Sequence, residues 1–295
     1  MSAGISVQTL GGPTLPEHLQ AAIGKVTEIS SLPEITTRIV EIVEDPKSTA
    51  QDMHELVKHD PALAAKILKV VNSAFYGLPS QVASLDRAIV MLGLSAIKNL
   101  ALAASLTRLF KPGPVSGKFH ARDLWSHCIS VGVCARLLAE TSGAHADEAF
   151  VAGLVHDLGL LIEHQVFADK LNQVVEQATA GGSFCEHELA IIGADHQAFG
   201  AVVAARWKFP PALRHAIGYH HNPENLQPEL QRFVTLIQVA DTICCQNKIG
   251  FYFTAHAQEV TERQLDLVKI KPTQVEQVLE DLPTKIQETE AILGE

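Results

Sequence analysis

Between Glu148 and His164 the chain reads EAFVAGLVHDLGLLIEH, an apolar run of small and branched residues with an adjacent His156-Asp157 pair at its centre. Any fold of this chain must give that pair a partner, because an ionised group taken out of water without one is strongly destabilising. An imidazole and a carboxylate side by side can grip one metal ion from two directions, and the second carboxylate oxygen is free to reach another. Gly159, two residues on, is expected to turn the backbone sharply. A second pair, His59-Asp60, is followed by Pro61 and reads as a helix start, with Asp60 as the N-cap and the proline at the first helical position.

The pattern around this run is helical. Residues 1–14, rich in Gly, Ser and Thr, read as a loose tail. Leu32, Ile35, Ile39, Ile42 and Val43 recur at helical spacing until Asp45-Pro46 stops them. Thr49 and Asp52 form a capping arrangement for a short helix ending near His59, and another helix runs from Asp60 to Gly77. A helix starting at Ser84 carries Ile89, Leu92, Leu94, Ile97, Leu100 and Leu102 on nearly all sides, so it must be buried. KPGPVSGK, residues 111–118, marks a boundary between two halves. Beyond it come helical segments at Arg122 to Thr141, the His156-Asp157 run, Leu171 to Thr179, Phe184 to Trp207, a helix between Pro210-Pro211 and Asn222-Pro223, and Leu230 to Cys245. Short pieces such as Ile249 to Phe253 are the sole β candidates. Thr273 with Glu276 offers a capping box for C-terminal helices that Pro283 interrupts. The expectation is an all-α protein: a tail (1–14), an N-terminal helical lobe (15–115), a second helical lobe (116–250) and a C-terminal helical extension (251–295).

Composition narrows the function classes. With 295 residues and 47% hydrophobic content, the chain can bury a large core. A net charge of -10 and the absence of a dense Lys/Arg run argue against nucleic-acid binding, which needs a basic footprint. No run of ~20 uninterrupted apolar residues predicts a membrane span, and the first residues lack the basic-then-apolar layout of a signal peptide, so a cytoplasmic location is expected. Five cysteines without CxxC spacing read as buried, reduced thiols. Trp125 and Trp207 fall in apolar helical patterns and are expected in the core. Histidine is the unusual residue: 14 are present, several of them between His187 and His221.

Collecting the polar residues that sit inside apolar helices gives His127, His156, Asp157, His196, His220, His221 and Asp241. Any one of them alone reads as a hydrogen-bonded core residue. Together they would be costly to bury unless they paired closely, and divalent cations remove that cost. The order His, His-Asp, His, His-His, Asp resembles the HD-domain superfamily of metal-dependent phosphohydrolases. In that resemblance His127, His156, Asp157 and Asp241 match the basic mononuclear ligand set. His196, His220 and His221, carried by DHQAFGAVVAARW and FPPALRHAIGYHHNP, match the added histidines of members with two or more metals. Asp123, one helical turn before His127, stands where some relatives supply a further acidic ligand. In the first half, DPALAAKILKVVNSAFYG and SLDRAIVMLG are similar to the N-terminal part of the HDOD family, a bacterial signalling branch of that superfamily. The resemblance covers roughly residues 25–245. It implies a helical regulatory module whose second lobe is an HD-type bundle, without established catalysis.

The chain departs from the catalytic relatives in two places. HD-GYP phosphodiesterases carry a lysine after the glycine that follows HD, where this chain has HDLGL and Leu160. After His221 comes NPENLQPEL, with no GYP; Gly218-Tyr219 lies before the histidines. Three readings stay open. One is a metal-binding signalling module that acts by binding a protein partner or a small-molecule ligand. The second is a metal-dependent phosphohydrolase of a nucleotide or phosphoester, with Asp157 at the metals and His187 protonating the leaving group. The third is a metal-free core network of histidines. Histidines mixed with carboxylates and no thiolate favour two iron or manganese ions over zinc. Asn72-Ser73 and Phe75-Tyr76 either line the interface between the lobes or cap a helix. The C-terminal helices offer either a homodimer surface or a solvated face.

Overall fold

The computed structural model describes residues 15–24, 32–73, 76–110 and 119–294. The expected tail at 1–14, the boundary at 111–118 and Phe75 lie outside them. The chain is all-α. The helices α1 (Glu17–Gly24), α2 (Glu34–Glu44), α3 (Ala50–Val57), α4 (Pro61–Val71), α5 (Leu85–Leu92) and α6 (Leu94–Leu106) come first. They are followed by α7 (Ala121–Ser142), α8 (Ala146–Val155), α9 (Leu158–Ala180), α10 (Phe184–Ile191), α11 (His196–Arg206), α12 (Pro211–Tyr219) and α13 (Pro228–Gln246), with α14 (Glu262–Val268) and α15 (Pro272–Leu293) at the end. No strand forms among the described residues. Ile249 to Phe253 is a loop, in which the Phe251 N–H donates to the Asp123 carbonyl at 2.9 Å.

Several helix starts follow the local chemistry of the sequence. Thr49 and Asp52 cap each other reciprocally, and the Asp60 carboxylate accepts from Leu63 N–H at 2.9 Å, so the His59-Asp60 pair is a helix start. Elsewhere the structure corrects the boundaries. The helix expected from Ser84 is two, because Gly93, at φ 87, breaks it between α5 and α6. The segment at Leu171–Thr179 is the distal part of α9, which kinks at Phe167. Phe184 to Trp207 is divided, and Asp195 restarts the chain as α11 by accepting from Ala198 N–H at 2.9 Å. Pro283 lies inside a continuous α15, whose Val278, Leu282, Ile286 and Leu293 are buried. That helix begins at Pro272, with Gln274 Oε1 accepting from Lys271 N–H at 2.8 Å, so the Thr273–Glu276 box does not form its start.

Of the apolar run expected to be buried, the α6 half is: Ile97, Leu100, Ala101 and Leu102 are all shielded, against α2, α4 and α8, whereas in α5 only Ala88 is buried and Val90 is 84% exposed. Trp125 and Trp207 are in the core, and Trp125 Nε1–H donates to Leu293 O at 3.1 Å, tying α15 to α7. The five cysteines are free, four of them buried. Asn72 holds both backbone groups of Val82, donating at 2.8 Å and accepting at 2.6 Å. Tyr76 Oη–H donates to Asp147 Oδ1 at 2.7 Å, while Arg136 pairs with the same carboxylate and lies 4.5 Å over the Tyr76 ring. This joins the segment after α4 to α7 and α8.

Two glycine contacts bring the central helices together. A Cβ on Gly153 would lie 2.6 Å from Gly132 Cα, so α7 and α8 cross at backbone contact. Gly159 does not turn the chain; it sits in the first turn of α9, where a Cβ would lie 1.8 Å from the His196 carbonyl oxygen. Its lack of a side chain lets α9 abut the start of α11. The run Ala146–Ala180 is long and apolar enough to cross a membrane by composition, yet 78% of its most apolar window is buried inside the fold. A cleft of about 970 Å³ opens between the end of α2 and the first turns of α6, α8, α12 and α13, with Lys98, His145, Glu148, His215 and Phe233 on its walls.

Candidate metal centre

Six helices and their ends deliver the seven candidate ligands to one point. His127 projects from α7, His156 and Asp157 occupy the junction of α8 and α9, and His196 opens α11. His220 and His221 close α12, and Asp241 lies in α13. Six of the seven are fully buried and His221 is 7% exposed. They sort into two groups, Asp157 with His196, His220 and His221, and His127 with His156 and Asp241. In each group the donor atoms lie within 4.8 Å of one another.

Asp157 joins the groups. Its Oδ2 lies 3.3 Å from His156 Nε2 and 3.7 Å from His127 Nε2, while its Oδ1 lies 3.3 Å from His196 Nε2 and 3.4 Å from His220 Nε2. One carboxylate therefore faces both candidate positions with one oxygen each. Asp241 Oδ1 completes the first group at 3.1 Å from His127 Nε2 and 3.7 Å from His156 Nε2.

In four of the five rings, those of His127, His156, His196 and His220, the other nitrogen sets the tautomer. His127 Nδ1 is 3.2 Å from Ile249 O, His156 Nδ1 is 2.7 Å from Gly153 O, and His220 Nδ1 is 3.0 Å from Ala216 O. His196 Nδ1 lies 2.9 Å from both oxygens of Glu188. Each Nδ1 faces only acceptors, so it carries the proton and leaves Nε2 with its lone pair aimed into the cluster. The Nε2 atoms of His196 and His220 then face each other at 3.2 Å, which two lone pairs tolerate only with a cation or an added proton nearby. His156 Nε2, both oxygens of Asp157 and Asp241 Oδ2 are buried without a hydrogen-bond partner. Unsatisfied inward donor atoms of this kind fit divalent cations.

The electrostatics agree. Burial alone would raise both aspartates, but His156 beside Asp157, and His127 with His156 beside Asp241, hold the two carboxyls well below their usual range. Burial lowers the pKa of His220 and, with the His220 ring beside it, holds His221 well down, so both stay neutral as ligands must. Burial also works against charge on His156, yet Asp157 and Asp241 outweigh it and raise it to about 10. Without a metal, His156 carries the cluster's compensating charge.

Two residues expected at the site are elsewhere. The Asp123 side chain is exposed, and only its backbone carbonyl takes part, holding Phe251 in the loop beside His127. His187 is half-buried, with Nε2 2.9 Å from Gly181 O. The sequence reading missed the supporting layer. Gln197 Oε1 accepts from His221 N–H at 3.0 Å, Gln238 Nε2 donates to His221 O at 3.0 Å, and Gln258 Nε2 lies 3.2 Å from His221 Nδ1. Cys245 Sγ reaches Asp241 Oδ1 at 3.3 Å. Glu188 and Glu163, both fully buried, stand behind His196.

Fold and cluster together define an all-helical bundle with a closed histidine–carboxylate centre able to hold divalent ions. The chain belongs to the HDOD family, whose domain matches residues 29–223. An uncharacterised protein of Treponema pallidum (strain Nichols) is 26% identical over 220 residues, which are 72% of this chain and 42% of that protein, so the chain spans less than half of that relative. Among solved structures, an HDOD domain protein of unknown function from Geobacter sulfurreducens superposes with a TM-score of 0.75 at 24% identity, over 94% of this chain and 96% of its own. A candidate phosphohydrolase from Shewanella amazonensis SB2B gives 0.69 at 24%, over 92% and 98%. A candidate signal transduction protein from Marinobacter aquaeolei VT8 gives 0.72 at 22%, over 94% and 64%. These likenesses establish the fold.

Proposed function

We propose that the chain is a regulatory HDOD module in which a two-ion centre fixes the helices around His156-Asp157. Signalling then runs through a surface or cleft that binds a protein partner or a small-molecule ligand. The observation that carries this reading is the enclosure of the centre. Six of its seven candidate ligands have no exposed surface, and none of the seven lines the cleft at the first turns of α6, α8, α12 and α13. A substrate must reach the metals of a hydrolase, whereas a structural or sensing centre has no such need. Leu160 is fully buried where the resembling phosphodiesterases place a lysine, so that position supplies no ammonium to handle a phosphate. His187, turned to Gly181, is not placed to protonate a leaving group. The histidine–carboxylate donor set favours iron or manganese.

One observation favours a metal-dependent phosphohydrolase instead: the ligand set is complete, with a carboxylate facing both positions. Bound ions in such a site would polarise a phosphoryl oxygen and lower the pKa of a coordinated water. The test is a panel of phosphoesters and nucleotides assayed with anaerobically purified, untagged protein beside an Asp157→Ala control. The regulatory reading expects metal in the protein and no turnover above the control. Turnover that the control loses would replace it with the hydrolase reading.

A further inference from the structure

Of the four histidines whose Nε2 points into the centre with Nδ1 held as a donor, three are held by backbone carbonyls, those of Ile249, Gly153 and Ala216. His196 alone is held by a carboxylate. Glu188 receives its Nδ1–H with both oxygens at 2.9 Å, in a site with no exposed surface on either residue. The two candidate ion positions therefore differ. The first (His127, His156, Asp241) is supported by neutral amides. The second (Asp157, His196, His220, His221) has a carboxyl group behind one ligand.

We infer that Glu188 is the positioning residue of the second ion position, fixing the His196 ring with Nε2 inward and making it a stronger donor, so that this position binds its ion more tightly than neutral support would allow. A carboxylate hydrogen-bonded to the far nitrogen of an imidazole raises the basicity of the near one, and losing such a partner typically weakens metal binding by about 10- to 100-fold. The location of Glu163 is consistent with this role. It is fully buried on α9, neither oxygen has a hydrogen-bond partner, and burial with the Glu188 carboxyl beside it pushes its pKa well up. Burial pushes both carboxyls well above their usual range, and the contact of both Glu188 oxygens with His196 Nδ1–H at 2.9 Å is the geometry on which the role of Glu188 stands. The α10 helix that carries Glu188 begins at the Ser183 cap, which accepts from Glu186 N–H, so the carboxylate is delivered from a fixed element.

The inference rests on the proposal that the centre holds two ions, and the test separates the two ideas. Chelator-stripped protein is titrated with Co²⁺ alone, following d–d absorption and the cobalt retained after desalting. Wild type should bind two equivalents, and His127→Ala should lose the first position. Glu188→Ala should retain one equivalent with the first-position spectrum unchanged. Glu188→Gln, which still accepts from Nδ1–H but carries no charge, should bind both, the second about 10- to 100-fold more weakly and with shifted absorption. An unfolded Glu188→Ala would show in its circular dichroism, and the Gln variant then decides. Wild-type affinity for both equivalents in Glu188→Gln overturns the role of the charge, and two tight equivalents in Glu188→Ala overturn the whole inference while the two-ion centre stands. A wild type that binds no cobalt overturns both.

Discussion

Gly159→Ala tests the packing that assembles the centre. An added Cβ would lie 1.8 Å from the His196 carbonyl oxygen and 3.0 Å from Gly200 N. Cβ contacts under 3.0 Å essentially do not occur, so α9 and α11 would have to part by at least about 1.2 Å at this point. The obstacle is backbone, and no rotamer change relieves it. Overpacking a core usually costs ~1–3 kcal/mol, and a backbone clash of this depth belongs at or above the top of that range. For a chain of this size, ~3 kcal/mol corresponds to a fall in thermal midpoint of roughly 5 °C. The same movement separates Asp157 Oδ1 from His196 Nε2, now 3.3 Å apart, so the second ion position should weaken as well. Differential scanning calorimetry with cobalt titration measures both. Gly24→Ala is the control, since nothing lies within 4 Å of a Cβ there, and its effect should stay within ~1 kcal/mol. A Gly159→Ala protein that melts with wild type and binds cobalt equally would refute the reasoning.

Other predictions concern separate contacts. Asn72→Ala leaves both backbone groups of buried Val82 unpaired and should destabilise by ~2–3 kcal/mol in urea unfolding. Tyr76→Phe removes one hydrogen bond to Asp147 while Arg136 stays paired with it, so the loss should be about 1 kcal/mol. In metal-stripped protein, His156 titrates at about 10 when folded against an ordinary 6.5, so its charge stabilises fully below 6.5 and that contribution disappears as pH rises through about 10. The stripped protein's thermal midpoint should therefore drop across that window, and a flat profile would show that His156 is neutral in it. Metal uptake near neutral pH should then release about one proton per chain, measurable by calorimetry in buffers of different ionisation enthalpy.

Helical class was legible because apolar spacing survives whatever the tertiary context, as in α2 and α6. Boundaries were less so where one residue acts through its surroundings. Gly93 breaks a run that periodicity makes continuous, and Pro283 is carried within α15 by the burial of Leu282 and Ile286. The same holds for Gly159, whose role is a contact with residue 196 that no local pattern encodes. The seven ligands stood out as ionisable residues in apolar helices. Glu188 did not, because CEHEL places two glutamates in a short polar-looking helix and only the fold buries one of them. Asp123 shares the helical face of His127 by its four-residue spacing, yet Gly250 packs against the backbone of both and the carboxylate is left in solvent.

The central claim is a closed two-ion centre bridged by Asp157. Its most direct test is anomalous diffraction at the absorption edge of the metal found in crystals of untagged protein. The account predicts two peaks about 3.5–4 Å apart, one among His127, His156 and Asp241, the other among His196, His220 and His221, with Asp157 between them. Crystals of the folded protein with no anomalous peak among these seven side chains would contradict it.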